Sequence, residues 1–388
     1  MKKSLLLILA IIAMLCGKNV CTHARTWTKS EVIDVIHKVN GYWQSNNRAE
    51  VRSFWDNAAY HTGNMEAYFL TANPEYLAYS ERWAEYNHWM GARSPFPSTW
   101  EYRRYGEDHK HVLFGDWQIC FQTYIDLYNI AVKDKKNNLA TSEQSYRIAR
   151  AFQVMDFEVA SEMNDFWWWA DALYMVMPVF SKMYKLTGDE KYLDKLYANI
   201  LYSDSIMLDN ETGLYFRDGK YVYPKHTTAS GKKDFWARGD GWVLAGLAKV
   251  LNDMPTTYKH RDFFEQKFVR LANAVAKLQQ KDGYWTRSMM DAEQAPGPET
   301  SGTAFFTYGI LWGINNGLLS EKKFAPVVNR AWKYLSTTAL QADGKVGYVQ
   351  PIGEKAIPGQ MIDANSQANF GVGAFLLAAC EYSRYLKE

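Results

Sequence analysis

Little in this chain would build a metal centre or a disulfide scaffold. Only four of its 388 residues are cysteine, and two of those, Cys16 and Cys21, stand near the N-terminus. The other two, Cys120 and Cys380, sit inside apolar stretches with helical spacing, which reads as free buried thiols rather than a bridge. Nowhere do Cys or His residues recur at metal-ligand spacing, so neither a metal nor an organic cofactor is expected. A surplus of one charge is also missing. The chain has 44 basic and 42 acidic residues; residues 1–24 hold Lys2, Lys3 and Lys18 and no acid, so the remainder carries a net charge near −1. That balance argues against nucleic acid or an anionic membrane as a partner. There is no Pro/Ser-rich linker, no low-complexity tract and no alternating strand pattern, which leaves a single domain over residues 25–388. Long apolar runs are absent but for one, Leu5–Leu15, too short to span a bilayer comfortably. With Lys2-Lys3 before it and Thr22-His23-Ala24 after it, this run predicts a secretory signal peptide over residues 1–24, cleaved after Ala24, and a periplasmic or secreted protein. Cys16 would suit a lipoprotein anchor, but Met14-Leu15 before it are poor small-residue positions. A buried first helix is the third reading.

Aromatic residues, by contrast, are abundant. They make up 15% of the chain, with 15 Trp and 26 Tyr. Much of this must be core. Trp167, Trp168 and Trp169 in a row cannot all face one core, however, and excess Trp and Tyr suits stacking against sugar faces.

Apolar residues recur at helical spacing in twelve stretches: 33–43, 64–70, 76–89, 117–131, 145–154, 170–186, 192–203, 243–251, 263–278, 304–314, 325–335 and 371–385. A weak repeat supports the count. Thr71-Ala72-Asn73-Pro74-Glu75-Tyr76-Leu77 aligns without gaps on Thr187-Gly188-Asp189-Glu190-Lys191-Tyr192-Leu193. Glycine turns with an aromatic exit recur at Glu211–Tyr215, Lys281–Trp285 and Asp343–Tyr348. Six helical hairpins closing into an all-α (α/α)6 barrel, with short β-loops at one end, fit this rhythm. An open solenoid is the alternative, but capping repeats are not evident.

Three clusters carry chemistry. In Trp167-Trp168-Trp169-Ala170-Asp171-Ala172, a helix would place Asp171 on the face of Trp167 and Trp168, four and three residues before it. Lost hydration there raises the carboxyl pKa, which suits a proton donor. In Phe114-Gly115-Asp116-Trp117, Asp116 reads equally as a second acid or as a helix N-cap. In Trp236-Ala237-Arg238-Gly239-Asp240-Gly241-Trp242, Arg238 among indoles suits either a two-pronged grip on a carboxylate or a structural cation–π stack. His226 and Arg217 stand in a polar loop, and each alone reads as a surface residue.

The two Trp-rich runs, together with Pro298-Glu299-Thr300-Ser301-Gly302 and Gly347-Tyr348-Val349-Gln350-Pro351, resemble the unsaturated rhamnogalacturonyl hydrolases, glycoside hydrolase family 105, which are related to the unsaturated glucuronyl hydrolases of family 88. The resemblance covers the chain beyond the predicted signal peptide and implies an (α/α)6 barrel. It also implies a hydrolase that frees a terminal unsaturated uronic acid from pectin-derived oligosaccharides, the uronate being galacturonate on rhamnose. It places the catalytic acid at Asp171, a second active-site acid at Asp116, and substrate contacts at Trp168, Trp169, Trp236, Arg238, Trp242 and His226. Asp240 is left out of the catalytic set. The rival readings are an inverting glycosidase acting on saturated sugars with Asp116 and Asp171 as its acid and base, and a non-catalytic glycan-binding protein.

Overall fold

Eleven of the twelve periodic stretches lie wholly or mostly on one helix. The computed structural model describes residues 27–133 and 142–387, so the predicted signal peptide lies outside the described residues. Among those residues, helices of eleven residues or more are α1 (Lys29–Asn46), α2 (Trp55–Thr71), α3 (Pro74–Tyr86), α4 (Cys120–Lys133), α5 (Ser142–Ala160), α6 (Met177–Thr187), α7 (Lys191–Met207), α8 (Ala237–Asp253), α9 (Arg261–Ala276), α10 (Thr300–Asn315), α11 (Glu321–Tyr334) and α12 (Asn369–Tyr385).

Packing between neighbours closes a ring. The six even-numbered helices touch in the circuit α2, α4, α6, α8, α10, α12 and back to α2. Each odd-numbered helix backs onto one of them: α3 on α2, α5 on α4, α7 on α6, α9 on α8, α11 on α10, and α1 on α12. The first helix therefore completes the last hairpin, and the (α/α)6 barrel is the fold observed. Burial follows from position. Outer α11 buries one stripe, Phe324, Val327, Val328, Ala331 and Trp332, at the spacing of a single helical face. Inner α10 is buried on all sides from Thr300 to Gly313. Inner helices also meet backbone to backbone. A Cβ on Gly63 of α2 would lie 2.2 Å from the carbonyl oxygen of Gly373 on α12, a contact open only to glycine.

The two aligned heptads are one structural device used twice. Ala72 and Gly188 end their helices in the left-handed conformation. The Thr71 and Thr187 hydroxyls donate back to Ala67 and Met183, and Asn73 and Asp189 accept from the N–H groups of Glu75 and Lys191. The three glycine turns also share a geometry, with positive φ at Gly213, Gly283 and Gly344. Their exits form isolated β-bridges rather than strands: Leu208 with Tyr215, Trp285 with Glu299, and Leu340 with Val346. All three turns join an outer helix to the start of the next inner one, so they gather at one end of the barrel.

One expectation fails. Residues 170–186 are not one helix, and Trp167 and Trp168 do not share a helical face with Asp171. The three indoles lie on non-helical chain. A single turn, Ala172–Met175, follows Asp171, and α6 then begins at Met177. Pro178 explains the break, since its ring has no N–H and excludes the carbonyl four residues back. That carbonyl, Tyr174 O, accepts instead from Gln122 Nε2 at 2.8 Å.

Candidate active site

All six inner helices start at the glycine-turn end, and acids stand at or just before five of those starts. Asp56 is in the first turn of α2. Asp116 is in the single turn Gly115–Gln118 before α4, and Asp171 opens the turn before α6. Asp240 is in the first turn of α8, and Glu299 caps α10. The positive ends of the helix dipoles converge here and favour negative charge.

Asp116 and Asp171 are brought together. The two single turns pack so closely that a Cβ on Gly115 would lie 2.9 Å from Val176 and 3.4 Å from the Trp169 ring. Asp116 is 5% exposed and Asp171 8%. Rings dry this corner: Trp169 stacks on Phe114 at 4.5 Å and meets Trp168 at 4.5 Å. Phe114 is the N-cap of that turn and Asp116 lies inside it, so the cap reading fails for Asp116. Burial raises both carboxyl pKa values, that of Asp116 to well above the usual range, and the charge on Asp171 adds to the rise at Asp116. Arg217 and Arg238 oppose the rise at Asp171. Arg217 opposes it at Asp116 as well.

Trp167 points away from this corner and meets Phe180 edge-on. Trp169 is 1% exposed and Trp242 fully buried among Trp55, Tyr174 and Phe305, so neither offers a face to a sugar. Trp236 lies beneath the Arg238 guanidinium at 4.5 Å and donates to Gln350 Oε1 at 2.8 Å. Of the five Trp and Arg side chains predicted to touch substrate, only Trp168 is partly exposed; its indole N–H donates to Tyr102 O at 2.7 Å.

The Arg238 guanidinium, expected to grip a carboxylate, is 1% exposed, with both terminal nitrogens held by the main chain and Nε buried without a hydrogen-bond partner among the described residues. Nη1 donates to Gln350 O at 2.7 Å and Nη2 to Pro351 O at 2.9 Å. Phe370 covers its other face at 4.6 Å. Burial pulls its pKa down to about 10, against the pull of Glu299 and Asp171. Asp240, fully buried, accepts from Tyr215 N at 2.8 Å and is structural. His226 pairs with Asp234 at 2.8 Å and sets its ring edge against Tyr221. Neither acid is its partner.

Sequence reasoning passed over Arg217. Its side chain is 14% exposed, with Nε 3.4 Å from Asp171 Oδ2. Nη1 donates to Asp218 Oδ2 at 2.8 Å and lies 3.4 Å from Glu354 Oε2. Glu354 is held in turn by Lys220 and by the Tyr221 hydroxyl at 2.7 Å. The glycine-turn repeat carried a signal for it. Gly213 is followed four residues later by Arg217, as Gly283 is by Arg287.

The chain matches Glycosyl Hydrolase Family 88 over residues 27–386. It is 35% identical to an unsaturated 3S-rhamnoglycuronyl hydrolase of Formosa agariphila, over 84% of this chain and 83% of that protein. It is 56% identical to the solved structure of a family 88 glycosyl hydrolase from Bacteroides vulgatus, with a TM-score of 0.88 over 93% of this chain and all of the other. A second solved structure, called a polysaccharide lyase, is 63% identical with a TM-score of 0.86, over 92% and 98% of the two chains. The motifs resembled families 105 and 88, and the match runs over nearly the whole length: the chain belongs to Glycosyl Hydrolase Family 88.

Proposed function

We propose that the barrel releases a terminal 4,5-unsaturated uronic acid from an oligosaccharide by hydrating its double bond. The observation that carries this reading is the buried pair Asp116 and Asp171, whose environment makes two ionised carboxylates unfavourable and so keeps a proton in the site. The substrate is an enol ether. Asp171 in its acid form donates to C4 while positive charge grows at C5 and the ring oxygen. A water then adds at C5 and loses its proton to the Asp171 carboxylate or to Asp116. The resulting hemiketal opens and frees the neighbouring sugar. No nucleophilic attack on an acetal carbon is involved, so the carboxylate-separation rule of ordinary glycosidases does not apply.

The name of the Formosa agariphila relative supports a uronate joined to rhamnose. We take the substrate to be unsaturated galacturonate on rhamnose, from pectin-type chains. The charged leader and apolar run of residues 1–24 support a periplasmic or secreted enzyme. Among the described residues, no helix is long and apolar enough to cross a membrane.

One relative's name favours a second reading, a lyase that forms the double bond by elimination. The two readings differ in sign. The enol ether absorbs in the ultraviolet, so the hydrolase bleaches an unsaturated disaccharide, whereas a lyase raises the absorbance of an intact polysaccharide. Bleaching by the purified protein supports the first reading. A rise, or release of saturated sugar without bleaching, overturns it.

A further inference from the structure

Arg217 is out of place for a site that must hold a proton on Asp171. A guanidinium 3.4 Å from the carboxylate favours the charged form of that acid. The contact is also incomplete. Arg217 Nε and Asp171 Oδ2 are both buried without a hydrogen-bond partner among the described residues. A buried donor left unpaired in this way destabilises the protein, and a ligand can recover the loss. Nη1, meanwhile, is fixed by Asp218 and Glu354, which aims the rest of the fork.

Resting on the reading above, we propose that Arg217, not Arg238, receives the substrate's carboxylate, and that this capture favours the proton on Asp171. The charged groups around the site fit this role. Asp171 faces Arg217, Arg238 and Asp218, while Asp116 faces Asp171, Arg217, Asp56 and Glu107. Arg238 is locked to two carbonyls and stays where it is. Arg217 is the cation whose field on Asp171 a bound anion can cancel. With Arg217 neutralised and a second negative charge nearby, ionised Asp171 loses its main support, and the proton settles there. The enzyme thus arms its acid only when a uronate is present, so a neutral sugar would bind to an unarmed site.

The test compares pH profiles. The kcat/KM profile reports the free enzyme and the kcat profile the complex. In the wild type acting on the unsaturated disaccharide, the alkaline limb of kcat lies at higher pH than that of kcat/KM. In Arg217→Gln the free-enzyme limb rises to meet it, the separation vanishes, and KM rises tenfold or more. Arg217→Lys keeps the charge and therefore the separation. A merely structural Arg217 would lower both parameters and leave the separation unchanged, which overturns the proposal, as do coincident limbs in the wild type. A binding arm needs no turnover. Calorimetric titration of the acid and of its methyl ester into Asp171→Asn, with and without Arg217→Gln, should show a tenfold or greater loss for the acid alone. Equal losses for acid and ester overturn the carboxylate contact. Failure of the wild type to bleach the disaccharide overturns the functional reading instead, and the binding arm still decides the role of Arg217.

Discussion

Asp171 and Arg238 occupy equivalent places in successive hairpins. Each follows a Trp-Ala pair. The alanine N–H donates to an arginine carbonyl, Ala170 to Arg217 at 2.8 Å and Ala237 to Arg287 at 3.0 Å. The tryptophan forms a β-bridge to the next residue, Trp169 to Asp218 and Trp236 to Ser288. One scaffold thus presents two side chains of opposite charge to the same end of the barrel. Their fates differ because the 350–351 segment meets Arg238 with two carbonyls, while Asp171 keeps an oxygen without a hydrogen bond beside Arg217.

Asp171→Asn should abolish turnover and leave the fold intact. The amide is nearly isosteric but cannot deliver a proton, and general acid catalysis contributes about 10²–10⁴-fold. Bleaching rates and a thermal melt measure both halves. Retention of more than about a hundredth of wild-type kcat would remove the acid role.

Asp116→Asn should move the alkaline limb of kcat/KM to lower pH. The required proton is held by a pair in which each charge raises the other group's pKa. Removing one charge lets the remaining acid ionise earlier, so activity is lost earlier as pH rises. An unmoved limb with normal turnover would take Asp116 out of the reaction.

Arg238→Lys should act on stability rather than on carboxylate recognition. One ammonium cannot reproduce two parallel donations, which leaves a buried carbonyl unpaired at a cost of about 1–3 kcal/mol. Urea unfolding gives the loss. Kinetics on the acid and the methyl ester should change in parallel, and a selective rise in KM for the acid would restore Arg238 to substrate binding.

Trp168→Ala and Trp242→Ala should separate binding from packing. Trp168 keeps an exposed portion beside the acids, and loss of its stacking should weaken binding by about 0.5–1.5 kcal/mol, read as KM. Trp242 is fully buried, and its truncation should cost about 3–5 kcal/mol of stability. The reverse pattern would mean that the two rings had been assigned the wrong way round.

The sequence by itself determined the twelve helices, the hairpin repeat, the glycine turns and the importance of the Trp-rich runs. These follow from local physics: helical spacing of apolar residues, left-handed caps at Ala72 and Gly188, and positive φ at Gly213, Gly283 and Gly344. It could also single out Asp116 and Asp171 by their apolar neighbours. Only the tertiary structure decided which charges face which. Arg238 is locked by a segment more than a hundred residues later in the chain, and Arg217, in an ordinary polar loop, is folded back onto Asp171. Trp167 and Trp168 part company because the chain leading to Asp171 is not helical and pairs with the Asp218 segment instead. Helical spacing is set within a few residues, whereas the field at a carboxylate sums over every group that the closed barrel brings near it, and closure depends on the whole chain.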